Sequence, residues 1–163
     1  MTREASAYAA AMNNVKGDRG PVGLQIDESD DFGSRAARHL RDDLVVWLTT
    51  VGRDGAPTPN PVWFLWDGQG AVRAFSLPDA ARIRHLRANP RVSLNFPGDG
   101  RGGDIVVLSG VAAMQPDGPQ ADGVPEYVGK YAAQMSRIGL TPASFAARYT
   151  IPITITLTRL RGH

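Results

Sequence analysis

The sequence predicts a mostly β chain: six antiparallel strands curled into a barrel, with helices kept to the periphery. Three observations carry that expectation. Residues 44–76 hold three runs rich in β-branched and aromatic residues, separated by two tight turns. Residues 104–115 and 151–160 alternate apolar with small or polar residues, the period of a half-buried strand. The helical patterns are short and lie between or outside these runs. Closing such a sheet into a barrel removes its exposed edges.

The elements follow in order. Residues 1–25 show little periodicity and read as an amino-terminal extension, with one short helix over 5–12; residues 26–163 read as a single domain. The acidic run 27–31 suits a helix amino terminus, where negative charge meets the positive end of the helix dipole. Residues 34–42 then form a helix with Ala37 and Leu40 on one side. Strands over 44–52, 58–67 and 72–76 are joined by Arg53–Asp54–Gly55 and by Asp67–Gly68–Gln69–Gly70, giving an antiparallel meander.

At Pro78 the period changes. Ile83 and Leu86 lie three apart, surrounded by Arg82, Arg84, His85 and Arg87, which makes residues 78–88 a short basic helix with proline in its first turn. Asn89–Pro90 ends it, because a residue before proline is pushed out of the helical region. A strand over 91–96 follows, then a glycine-rich loop, 97–103, that lacks the order of a phosphate-binding P-loop. Gly110 marks a bulge or a close backbone approach in the strand 104–115. Two amphipathic helices, 124–135 and 142–149, meet through Gly139, with Tyr127, Tyr131, Phe145 and Tyr149 as packing residues. The strand 151–160 closes the order.

Composition excludes several classes of function. A chain of 163 residues with 42% apolar and 21% charged residues can bury a core of its own. It has no cysteine, hence no disulfide, thiolate metal site or cysteine nucleophile. The net charge of +2 and the lack of a groove-reading element argue against nucleic acid. No apolar run is long enough to span a membrane and residues 1–14 make a poor signal peptide, so the expected location is cytoplasmic. The three histidines are His39, His85 and His163, and neither HExxH nor GxSxG occurs, so no metal site and no catalytic set is assigned. His85 remains a candidate ligand or proton donor because histidine titrates near neutrality. The exit of the strand at Ser76 into a basic helix start is suited to an anion, since helix amides and guanidinium groups point the same way.

PVWFLWDG, followed by SLPDAARIRHLRANPRVSL, resembles the pyridoxamine-5′-phosphate-oxidase-like split-barrel superfamily. More narrowly it is similar to the second subgroup (B) of actinobacterial flavin/deazaflavin oxidoreductases, which bind coenzyme F420. The resemblance covers residues 43–111 and extends through PEYVGKYAAQM and FAARYTIPITITLTRLRG. It implies an FMN-binding-type split barrel and a homodimer with cofactor at the interface, completed by partner residues from the last strand or the helix at 127–135. The implied activity is hydride transfer from reduced F420 to a conjugated small molecule. The alternatives are an FMN-dependent oxidase or reductase, and a non-catalytic cofactor- or tetrapyrrole-binding protein.

By the same resemblance, Asn60, Pro61, Val62 and Trp63 contact the ring, with Thr49 and Thr50 on the adjacent strand behind them. Arg82 and Arg84 hold the phosphate, with Ser76 and Leu77 beside them. Arg84, Arg87 and Arg101 are available to an acidic tail, and Trp66 reads as core. One departure stands out: Asp79–Ala80 replaces the Gly-Ser of many relatives, so Asp79 either caps the helix or opposes a phosphate.

Overall fold

The computed structural model describes residues 23–163, so the expected helix at 5–12 lies outside the described residues. Helix α1 (Asp31–Asp42) comes first, its amino end capped by the Asp30 carboxylate, which accepts from the Gly33 amide at 2.7 Å. Strands β1 (Val46–Val51), β2 (Pro57–Val62), β3 (Leu65–Trp66) and β4 (Ala71–Ser76) follow. Helix α2 (Ala81–Ala88) leads into β5 (Arg91–Asn95) and β6 (Val106–Met114). After a 3-10 turn come α3 (Pro125–Arg137), α4 (Pro142–Arg148) and the long β7 (Ile151–Gly162).

All the strand pairs are antiparallel, and the sheet runs β2-β1-β5-β6-β7-β4-β3. The described residues form seven strands, not the six expected. The run 58–67 does not return as one strand. It breaks at Trp63 and Phe64, leaving β2 on one edge of the sheet and β3 on the other. The expected meander is therefore two hairpins, β1–β2 and β3–β4, at opposite edges. Laid flat, seven strands place their outer edges about 29 Å apart. The chain from Val62 to Leu65 spans at most about 11 Å. The sheet must curl until its edges meet, which makes the structure a mostly β split barrel with peripheral helices.

Two cores result. Leu48, Phe64, Leu94, Leu108, Ile153 and Ile155 fill the barrel. Tyr127, Tyr131, Met135 and Phe145 of the α3–α4 pair bury a second cluster against Phe75. The α3–α4 link takes the expected form, with Gly139 at φ 74 where a side chain would be strained. Gly110 is the expected bulge: the β6–β7 register shifts there, and a Cβ would meet Ile155 Cγ2 at 2.6 Å. Pro78 differs from expectation. It lies in a turn ahead of α2 rather than in its first helical turn, and Ala80 is the N-cap. Asn89 ends α2 with extended backbone, as a residue before proline should. Among the described residues no helix is long and apolar enough to cross a membrane.

The strand break is held by one side chain. The Tyr131 hydroxyl accepts from the Phe64 amide at 2.8 Å, and its own proton lies within reach of the Leu44 carbonyl at 2.9 Å and the Phe64 carbonyl at 2.8 Å. Burial pushes the Tyr131 phenol above its ordinary range, so it remains a donor. Tyr131→Phe orphans a buried amide, and urea unfolding is expected to show a loss of about 1–3 kcal/mol.

Lys130, one position earlier on α3, places Nζ 4.0 Å from the centre of the Phe64 ring and has no hydrogen-bond partner among the described residues. Desolvation pushes its pKa down to about 8, against the attraction of Asp43 and Asp42. Between this value and that of the unfolded chain, the unfolded state binds more protons, so stability rises with pH from about 8 to about 10. Above about 10 the buried Tyr127 and Tyr131, whose pKa values are raised, reverse the slope. Lys130→Met is expected to flatten the rise, measured as unfolding free energy across that window.

Candidate functional site

Strand β3 is only two residues long and pairs with Arg73 and Val72. The far half of β4, residues 74–76, therefore has β7 on one side and no strand on the other. Into this open seam come the end of β2, the exit of β4 and the start of α2. The α3–α4 pair walls it, and the result is a cleft of about 250 Å³. The split in the barrel is the candidate site.

Six of the ten sequence-derived candidates line this cleft. Pro61, Val62 and Trp63 come from the end of β2, Ser76 and Leu77 from the exit of β4, and Arg82 from the first turn of α2. Arg82 is half-buried and forms no ion pair among the described residues. Desolvation lowers its pKa, while nearby Tyr149 favours its charge; guanidinium remains cationic at neutral pH. Ser76 is buried, and its hydroxyl makes only a long bond, 3.2 Å, to the Leu77 carbonyl. No side chain caps α2, and its first turn carries no acid. The helix amides and the guanidinium thus present positive charge to one place without a protein anion to meet it.

The other four candidates lie elsewhere. Asn60 pairs with Leu48 on β1, so strand alternation puts its side chain on the opposite face from Pro61. Thr49 sits between Pro59 and Ser93 in the ladder. Thr50 is buried, with Oγ1 2.9 Å from Nδ1 of His85, and this contact engages both residues away from the cleft. Arg84 is exposed, as are Arg87 and Arg101, and none of them lines the cleft. Asp79 is exposed in the turn before α2 and does not cap the helix, contrary to one expectation. The loop 97–103 answers its own amides: the Asp99 carboxylate accepts from Arg101 and Gly103 at 2.8 and 2.9 Å, which holds its pKa below the usual carboxylate range. Trp66 packs on the barrel core, with the Arg41 guanidinium 5.7 Å from its ring centre.

Sequence reasoning missed the aromatic wall. Phe75, Tyr127, Phe145 and Tyr149 all line the cleft, with Ile138 at its mouth. Trp63 stacks on Tyr131 at 4.9 Å and on Phe145 at 5.4 Å, and Phe145 stacks on Tyr149 at 4.4 Å. The four-residue spacing of 127 and 131, and of 145 and 149, was the available signal, and it reads equally as packing. Tyr127 reaches the cleft from its own chain, so this part of the wall needs no partner subunit.

Comparison with known proteins agrees with this geometry. The family model described as pyridoxamine 5′-phosphate oxidase matches residues 32–161. Among proteins of curated function, none matches by sequence. Among solved structures, an F420 reductase is 25% identical over 76% of this chain and 94% of its own, with a TM-score of 0.55. An FAD-binding protein of Mesorhizobium loti is 23% identical over 78% of this chain and 88% of its own, with a TM-score of 0.52. HutZ, the haem storage protein of Vibrio cholerae, is 16% identical over 85% and 93%, with a TM-score of 0.52. The last two show a shared fold alone. With its barrel split at the seam between β2 and β4, and a family match over most of its length, the chain belongs to the pyridoxamine 5′-phosphate oxidase family.

Proposed function

We propose that this chain is an oxidoreductase that binds coenzyme F420 in the seam cleft and delivers hydride to a conjugated small molecule. The observation that carries the reading is the half-buried Arg82, without an ion pair among the described residues, at the uncapped start of α2 and lining a cleft walled largely by aromatic rings. That donor set suits a phosphate: a guanidinium fork, helix amides and the Ser76 hydroxyl. The aromatic wall and Val62 suit a flat ring. The likeness to an F420 reductase favours the deazaflavin over FMN. When bound, the deazaflavin ring supplies the hydride. The protein's part is to anchor the phosphate at Arg82, hold the ring against β2 and keep water from the reacting face. The non-catalytic tetrapyrrole-binding alternative is less well supported, because no histidine among the described residues lines the cleft.

The cleft is smaller than an ordinary cofactor pocket. A second copy of the chain is the proposed cover. Leu44 and Val45, just before β1, and Trp47 within it are exposed apolar residues, and Trp47 stands directly across from Pro61, which is both exposed and part of the cleft. Prolines 57, 59 and 61 leave the free edge of β2 without amide donors, so copies would meet through faces rather than by pairing edges.

Side-by-side fluorescence titration with F420 and FMN tests the reading. Tight F420 binding with weak FMN binding is expected, the reverse order moves the assignment to a flavin enzyme, and binding of neither overturns both. Arg82→Ala is expected to weaken F420 binding by about 1.5–3 kcal/mol, the value of a charged hydrogen bond; an unchanged dissociation constant removes Arg82 from the site. Trp47→Glu is expected to give a monomer in sedimentation and to weaken F420 binding with it. A dimer of unchanged affinity would place the interface elsewhere.

A further inference from the structure

Arg82 can serve an anion only while α2 keeps one rotation about its own axis. The helix is eight residues long, no side chain caps its amino end, and it buries two side chains, Ile83 and Leu86. Their burial chooses which flank of α2 faces the opening. Apolar contact is non-directional, however, so two aliphatic anchors leave the finer roll of so short a helix weakly set. A directional tie comes from His85. Its Nδ1 lies 2.9 Å from Oγ1 of Thr50 on β1, and Thr50 is only 1% exposed. Among the described residues this is the one side-chain hydrogen bond between α2 and the barrel. The far edge of the ring is placed as well: Nε2 lies beside Gly52 at the start of the β1–β2 turn, 3.5 Å from where a Cβ would stand. Around the helix, Arg82 stands between the two kinds of anchor, about 40° from Leu86 and about 60° from His85. Arg84 lies on the opposite flank and is exposed.

We propose that His85 is a positioning residue: its hydrogen bond to Thr50 fixes the roll of α2 and so aims Arg82 into the cleft. The proposal rests on the reading of Arg82 as the anchor of a ligand's phosphate. Neither His85 nor Thr50 lines the cleft, so the pair acts through Arg82 and not by touching the ligand. A buried hydroxyl needs a partner, and Thr50 is too shielded to exchange His85 for water. Rolling α2 breaks this bond, which gives the helix a restoring force that two apolar contacts do not supply. The requirement is strict because a guanidinium fork meets phosphate oxygens at fixed angles, and a displacement of about 1 Å forfeits much of such an interaction. The benefit is therefore specific to ligands that carry an anion. A neutral flat ring in the same cleft gains nothing from the His85–Thr50 bond.

Thr50→Val keeps the shape of the side chain and removes its hydroxyl, and Thr50→Ser keeps the hydroxyl. The first arm needs no ligand: phenylglyoxal labelling of the full chain, read residue by residue by peptide mass spectrometry. In the parent and in Thr50→Ser, half-buried Arg82 is expected to label more slowly than the exposed Arg84 and Arg87. In Thr50→Val it is expected to label several-fold faster, with Arg84 and Arg87 unchanged. The second arm titrates F420 against its deazariboflavin fragment, which lacks the phosphate and the acidic tail, and FMN against riboflavin. The parent's preference for the phosphorylated member is expected to fall about threefold to tenfold in Thr50→Val and to survive in Thr50→Ser. His85→Leu is expected to match Thr50→Val in both arms. In Arg82→Ala the preference is lost, and adding Thr50→Val changes nothing further, as expected of residues that act through one contact. A merely structural bond would weaken both members of each pair alike. That result overturns the proposal, as does an Arg82 labelling rate unchanged by Thr50→Val. If the parent shows no preference for phosphate, the anchoring role of Arg82 fails, and the labelling arm still decides whether His85 sets its placement.

Discussion

The structure depends on a connection that is too short for a flat sheet. β2 and β3 sit on opposite edges of seven strands, yet only Trp63 and Phe64 separate them. Any arrangement that keeps both hairpins must bend the sheet until its edges meet. The bend leaves backbone groups at the crossing without a ladder to join, and buried amides and carbonyls need partners. The Tyr131 hydroxyl meets that need at the Phe64 amide and at two carbonyls. The helix that supplies it belongs to the α3–α4 pair, so the pair cannot be regarded as decoration on a finished barrel. It fixes the crossing that lets the barrel close.

The same geometry creates the site. A full-length β3 would cover the edge of β4 and leave no seam. Because β3 stops after Trp66, residues 74–76 keep an open edge, and β2 delivers Pro61 to Trp63 opposite them. The chain leaves β4 through a turn that makes Ala80 the first cap residue of α2, which aims the helix start and Arg82 into the opening. Barrel closure and the formation of the cleft thus have one cause. The residues that hold the crossing stand beside the residues that line the cleft, and Trp63, stacked on Tyr131 and in the wall itself, belongs to both sets.

Much of this was legible in the sequence, and the part that was not has an identifiable cause. Turns announce themselves locally, so Gly55, Gly68, Gly70 and Gly139, all at positive φ, marked their corners correctly. The break at Trp63 and Phe64 has no local signal, because both residues favour strands as strongly as their neighbours. Its cause lies 67 residues away in Tyr131. The motif around Ser76 and Arg82 pointed to residues that line the cleft because one strand exit followed by one helix start is itself a local pattern. Arg82 and Arg84 could not be separated by motif alone: two positions on a helix differ by about 200°, and only the burial of Ile83 and Leu86 sets which faces the opening. The aromatic wall escaped for the opposite reason. Tyr127, Phe145 and Tyr149 are core residues and cleft residues at once, and sequence spacing reports only the first role.

The polar groups around the cleft bear on how a ligand would couple to folding. Among the described residues the desolvated Arg82 meets no anion, no side chain caps α2, and the Tyr127 hydroxyl has no acceptor. Each leaves the folded chain less stable than an apolar or capped residue at the same position would, by roughly 1–3 kcal/mol for an unmet buried group. Arg82 and the start of α2 lie at one opening whose lining is largely apolar and aromatic, so one molecule with an anionic group and a flat ring meets both. Binding to the folded state alone then raises stability in proportion to the logarithm of ligand over dissociation constant. In that arrangement the cost of holding positive groups without a protein anion and the affinity for an anionic ligand would have the same physical source: polar groups held in place by the barrel.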